Sequence, residues 1–216
     1  MTAAAPLPAT LRSTYRHGDL RRVLLEAGVA LARGGGPDAV VLREATRRAG
    51  VAPNAAYRHF ASRQALLQAV RAAALSALAL AMEAELAALP AGLAPADFAR
   101  ASVRAVGTGY LRFARAETGL FRTAFVASGD LQPSAPDPAQ AGESGLNPFQ
   151  LLGAALDRLV DAGLMPAERR PGAEFLAWSA VHGLAMLVMD GPLASVLGPQ
   201  MEQVGQRLLD MVEKGL

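Results

Sequence analysis

Apolar residues first recur at helical spacing in Leu20, Val23, Leu24, Ala27 and Leu31. The pattern predicts an amphipathic helix from about Gly18 to Arg33, stopped by the glycines at 34–36. A shorter run, LREATRRAG, predicts a second helix ending at Gly50, and a third opens at Pro53, in the first helical position that proline tolerates. Two short helices about a glycine turn form a helix-turn-helix pattern. Neither persists alone in water, so both must pack on the first, with Val41, Ala45, Val51, Ala56 and Phe60 expected in the shared core. From Arg63 to about Leu89 no Gly or Pro intervenes, which predicts roughly 40 Å of helix, long enough to leave this unit and enter a larger one. Further helices are expected over about Ala96–Ala116, Gly119–Ala127, Pro148–Ala162, Pro171–Met189 and Pro192–Lys214. The turn-rich SGDLQPSAPDPAQAGESG reads as a loop. The last two helices carry more apolar surface than one chain covers, which predicts self-association.

Composition agrees with an all-α protein: 52% of residues are apolar and only 5% aromatic, with alanine and leucine outnumbering the β-branched residues that favour sheets. There is no cysteine, which removes disulfides and thiolate metal sites and suits a reducing, cytoplasmic setting. The opening MTAAAPLPAT has neither the charged start nor the apolar core of a secretory signal and reads as a flexible tail. Charge is unevenly spread. Residues 1–71 hold 11 basic and four acidic side chains, a net +7, and the remainder carries −5. A basic third joined to an acidic remainder points to a polyanion-binding module attached to one with another task.

The stretch VAPNAAYRHF concentrates hydrogen-bonding chemistry on the third helix. At 100° per residue Pro53, Ala56, Tyr57 and Phe60 share one arc, and Asn54, Ala55, Arg58 and His59 the other. Ala56 and Phe60 anchor the helix. The opposite arc presents an amide, a methyl, a guanidinium and an imidazole, a set suited to phosphates and base edges. Ala55 permits close approach to a groove. Asn54 can pair bidentately with adenine, or else meet water or a phosphate. Arg12 and Arg16 can reach a phosphate or the minor groove. Enzymatic chemistry finds no support: the glycines at 34–36 lack a following Gly-Lys-Ser/Thr, Gly-Glu-Ser-Gly at 142–145 is not a nucleophile elbow, and no metal-ligand spacing occurs. No enzyme activity, cofactor or metal is expected.

REATRRAGVAPNAAYRHFASRQALLQAV resembles the DNA-binding signature of the TetR family of bacterial transcriptional regulators, and STYRHGDLRRVLLEAGVAL resembles its first helix. AWSAVHGLAMLVMDGPL is similar to a Trp-His-Gly element in the C-terminal domain of one subgroup. The resemblance implies a tail over 1–13, a three-helix DNA-binding domain over 14–62, and a larger helical effector-binding and dimerisation domain over 63–216. It implies phosphate contacts by Tyr57, His59 and Arg63, groove contacts by Pro53, Asn54, Ala55 and Arg58, and a further contact by Arg43. Two departures stand out: Ala52 occupies a position where a capping Ser or Thr is common, a loss worth about 1 kcal/mol, and Arg63 replaces the usual lysine. The family further implies a homodimer through the last two helices on a pseudo-palindromic operator, with no membrane involved, and an apolar effector pocket.

For that pocket the aromatic and thioether side chains on the expected helices are Met82, Phe98, Phe113, Phe121, Phe125, Phe149, Trp178 and Met186, each of which serves equally as core packing. His182, four residues after the chain's single tryptophan, is either a satisfied core histidine or a contact to an effector's polar group. The expected function is a ligand-responsive regulator, a repressor released by a small hydrophobic effector. The alternative is a DNA-binding or protein-interaction dimer with no effector.

Overall fold

The computed structural model describes residues 17–125, 137–189, 191–197 and 200–216, and among these every regular element is a helix. The 1–13 tail, Arg12, Arg16 and the first half of the polar loop, 128–136, lie outside the described residues. Helix α1 (His17–Gly35) buries Leu24 and Leu31, two of the positions its spacing marks for the core. Between them Gly28 is pressed against Leu66 and Val70, where an added Cβ would come 2.7 Å from a Val70 methyl. Helix α2 (Leu42–Ala49) ends at Gly50, whose φ of 67° is the left-handed conformation glycine adopts without penalty. Helix α3 is only Pro53–Ala56, shorter than the arc read from the sequence. Tyr57 closes it, and the amides of His59 and Phe60 both donate to the Ala56 carbonyl. Ala52 precedes it without a side-chain cap. Val41 is 42% exposed, against expectation, while Val40 and Leu42 are buried. Val41 is the extended residue before α2, and in extended backbone successive side chains face opposite ways.

Helix α4 (Arg63–Ala87) starts at a cap that sequence reading missed, the Ser62 hydroxyl accepting the Ala65 amide at 3.1 Å. By length and composition it is apolar enough to cross a bilayer. Its Leu66, Val70, Leu78 and Met82 are instead buried, in contact with α1, α5 (Pro95–Ala116), α6 (Thr118–Ala124) and α7 (Pro148–Asp161). Where α4 crosses α5, Gly109 lets the backbones meet: a Cβ there would lie 2.7 Å from the Met82 Cα. A single hydrophobic cluster runs from Leu24 in α1 through α4, α5 and α6 to Leu209.

The described part of the polar loop is held by side chains of α4. Glu83 accepts the amides of Glu143 and Ser144 at 2.9 and 3.0 Å and the Ser144 hydroxyl at 2.5 Å, and the Ser76 hydroxyl donates to Ala141. Helix α8 (Ala173–Met189) is followed by α9 (Ala194–Leu197) and α10 (Met201–Gly215), where spacing predicts one helix over Pro192–Lys214. The sequence between α9 and α10 contains Gly198-Pro199, and proline has no amide to continue a helix. Helix α10 is fixed to α5 by ion pairs Arg100–Glu213, Arg104–Asp210 and Arg112–Glu202.

Candidate nucleic-acid interface and aromatic core cluster

The helix-turn-helix unit presents its polar residues outward because its apolar ones are fully used. Ala56 is 0% and Phe60 2% exposed, and the Arg21 guanidinium sits 5.2 Å from the Phe60 ring centroid. With α3 held this way, Pro53, Asn54, Tyr57 and Arg58 are exposed and Ala55 and His59 half-buried, with Arg43 exposed on neighbouring α2. Tyr57, at 57%, is far more exposed than packing requires of a tyrosine. Seven of the eight residues drawn from the sequence therefore lie on the surface of α2, α3 and the turn that follows. Arg63 differs, because its guanidinium is already occupied: Nε donates to the Val40 carbonyl at 2.8 Å and a terminal nitrogen to Pro37 at 2.9 Å. It fastens the start of α4 to the turn before α2.

Two further cations on α2 escaped the sequence reading. Glu44 takes Arg47 in a two-pronged pair at 2.7 and 2.9 Å and meets Arg48 at 3.4 Å. Hydrogen bonding from Arg47 leads in holding the Glu44 carboxyl down to about 2, well below the ordinary carboxylate range. An i, i+3 acid–base spacing was the available signal.

In the larger helical body, four of the nine pocket candidates converge. Phe121, Phe125, Trp178 and His182 lie with ring centroids 4.9–5.9 Å apart, and Phe149 borders them 6.3 Å from Trp178. Met82 and Phe113 are buried core residues. Phe98 and Met186 do not join the cluster: Phe98 is 39% exposed in the first turn of α5, with the Arg158 guanidinium 5.6 Å from its ring centroid, and Met186 is 38% exposed on the outer face of α8.

The residue that completes the cluster is Tyr110, which the sequence reading passed over. Its ring meets Phe121 edge-on at 5.2 Å. Its hydroxyl accepts the Trp178 indole N–H at 3.0 Å and lies 2.7 Å from His182 Nδ1. A phenol has one proton. Its oxygen also has a second lone pair, so beside the indole N–H the hydroxyl either donates to Nδ1 or accepts from it, the tautomer deciding. Burial favours the neutral ring, pushing the imidazole below its ordinary 6.5, and pushes the Tyr110 phenol well above 10. The nine candidates do not line the cleft found between α5 and α10. That cleft, of about 300 Å³, is lined by other residues, among them Thr108, Leu111, Arg115 and Met201.

Helix α6 packs on α1 and on the turn before α2. A Cβ on Gly119 would overlap the carbonyl oxygens of Ala32 and Arg33, so the start of α6 rests directly on the last turn of α1. Beside this contact Arg33 Nε donates to Glu117 at 2.7 Å. Two residues past Gly119, Phe121 is fully buried in the aromatic cluster.

Two family models match the chain. One, described as bacterial regulatory proteins of the tetR family, covers residues 24–70, and one described as the tetracyclin repressor-like C-terminal domain covers 103–212. No curated protein matches it in sequence. Among solved structures it is similar to a protein of unknown function from Rhodococcus sp. RHA1, at 27% identity and TM-score 0.72 over 95% of this chain and 99% of that one. It shares its fold with the TetR family transcriptional regulator PfmR from Thermus thermophilus, at 20% identity and TM-score 0.57 over 89% of this chain and 98% of that one. A substituted TetR from Acinetobacter baumannii AYE in complex with minocycline also shares the fold, at 19% identity and TM-score 0.55 over 89% and 93%.

Proposed function

The chain belongs to the TetR family of bacterial regulatory proteins, its C-terminal match alone spanning half its length, and from that premise we propose that it is a repressor dimer released from operator DNA by a small, largely apolar effector. Residues 14–62 form the DNA-binding domain and 63–216 the effector and dimerisation domain. Arg43, Pro53, Asn54, Ala55, Tyr57, Arg58 and His59 face the duplex, and Arg63 serves it indirectly by fixing the start of α4. Tyr57 and His59 hold phosphates, and Asn54 and Arg58 carry what base preference α3 supplies.

The observation that carries the reading is α6. One short helix rests through Gly119 on α1 and holds Phe121 among Tyr110, Phe125 and His182. A ligand that alters the packing of the cluster therefore acts on the element that supports the DNA-binding helices. Release follows when the ligand favours a dimer in which the recognition helices depart from the spacing of about 34–36 Å that one DNA turn demands. The dimer itself is supported by the outer face of α8, where Phe175 and Leu176 (59% and 68% exposed) and Met186 and Leu187 flank the smaller Ser179, Ala180 and Gly183. Exposed Met211 extends the apolar surface onto α10. Such a face suits self-complementary packing of two helices from each subunit.

The test is selection from a random duplex library, followed by anisotropy titration of the recovered sequence at several salt concentrations. A pseudo-palindromic site bound far better than scrambled duplex, with affinity falling as salt rises, is expected. Tyr57→Phe and His59→Ala should each weaken that binding without unfolding the protein, and equal affinity for every duplex would refute the proposal. A second reading, a DNA-binding dimer without an effector, is favoured by the close ring packing of the aromatic cluster. A thermal-shift screen separates the two, since a ligand that binds only the folded state raises Tm.

A further inference from the structure

The cleft between α5 and α10 has a composition unlike the aromatic cluster. Leu111, Ala116, Met201 and Gly205 give it an apolar wall, and Thr108, Gln206, Arg112, Arg115 and Glu202 complete its lining. At about 300 Å³ it is at the lower end of the range for small-molecule sites. Gly205 lets α10 approach α5 closely at this wall, since a Cβ there would come 3.2 Å from a Leu111 methyl. Its two cations differ. Arg112 is held by Glu85 at 2.7 Å and Glu202 at 3.3 Å. Arg115, exposed in the last turn of α5, has no side-chain partner among the described residues. Gln206, by contrast, sits toward the Arg104 and Thr108 end of the cleft, taking Arg104 on its carbonyl at 3.1 Å. An apolar wall ending in one uncompensated guanidinium is complementary to a single carboxylate on a short apolar body.

We propose that this cleft binds a small organic monoacid, its carboxylate on Arg115 and its apolar part against Leu111 and Met201. The proposal rests on the regulator reading above and gives its effector a class and a place. The location makes occupancy consequential. Glu117, two residues beyond Arg115, is the partner of Arg33 at the end of α1, and Gly119 follows in contact with the same turn. An acid drawn to Arg115 therefore acts on the corner between α5 and α6 that abuts the DNA-binding helices, whereas the aromatic cluster needs no vacancy.

The experiment measures thermal stabilisation of the full chain by butanoate, hexanoate and benzoate against hexanamide and benzamide, in Arg115→Gln, Ala116→Leu and unsubstituted protein. A saturable shift with at least one acid and none with its amide is expected. Arg115→Gln should weaken acid binding about tenfold, the loss of one charge-assisted contact, and Ala116→Leu should block the cleft without touching the charge. Equal response to acid and amide, an undiminished response in Arg115→Gln, or no saturable shift with any of the three acids overturns the proposal. So does a change confined to oligomeric state, which makes the cleft a subunit contact. Because binding is read without DNA, a protein that binds acid yet prefers no duplex would refute the regulator reading and leave the site standing.

Discussion

Replacing Tyr110 with phenylalanine keeps the ring and its edge-on contact with Phe121 but deletes the oxygen that joins Trp178 to His182. Two hydrogen bonds vanish, each worth about 1 kcal/mol net. The indole N–H and the imidazole Nδ1 are then left without a protein partner in a half-buried place, which adds a fraction of the full desolvation cost. The expected loss is about 2–3 kcal/mol. For a chain of this length each kcal/mol lowers Tm by about 2–4 °C, giving a fall of about 4–12 °C at fixed protein concentration. A second readout separates this account from a generic packing defect. A phenol proton donated to Nδ1 favours the neutral imidazole beyond what burial does, so its removal should move the His182 titration upward, measured from the ring proton resonances. Differential scanning calorimetry showing a change below about 1 °C, with an unmoved His182 titration, would refute donation from the phenol to Nδ1.

Acid sensitivity follows from the same group with its sign fixed by burial. Since folding pushes the His182 pKa below 6.5, the folded state binds fewer protons than the unfolded one just under that pH. The contribution is complete above 6.5 and is lost as pH falls below it, and urea midpoints measured down to mildly acidic pH should lose this component in His182→Gln. Gly119→Ala forces a methyl onto carbonyl oxygens that cannot swing aside, so α6 must move, costing about 1–3 kcal/mol and altering operator affinity; denaturation and anisotropy on one preparation check both. Arg63→Met should lower stability by about 1–2 kcal/mol, having removed two carbonyl contacts, and unchanged stability with weakened DNA binding would return Arg63 to a direct phosphate role. Leu187→Glu should shift the protein to monomer in sedimentation, with specific DNA affinity lost in step.

Periodicity located most helices because each buries one face, and the glycine stops and proline starts bounded them. It failed where a local device outweighed the period. Val41 turned outward because one extended residue reverses the side-chain direction, and the expected final helix divided in a region whose sequence contains Gly198-Pro199. At the surface proposed to face DNA the residue types were legible, since Tyr57 and Asn54 are exposed. The engagement of Arg63 with Val40 and Pro37 was not, because backbone carbonyls leave no trace in residue identity. Tyr110 was invisible for a related reason: its partners Trp178 and His182 lie 68 and 72 positions away, and no short-range spacing encodes them.

The seat of Gly28 on Leu66 and Val70 bears on how this protein can be cut and recombined. A fragment severed at residue 62 would carry α1 with Leu24 and Leu31 but not the helix that seals them, and would expose the surface that makes the three small helices cohere. A transplantable DNA reader should therefore carry, beyond the proposed 14–62 domain, the first two turns of α4 through Val70. Hybrid regulators joined beyond that point should inherit their operator preference intact, whereas those joined before it should fail as folding units, whatever effector module they receive.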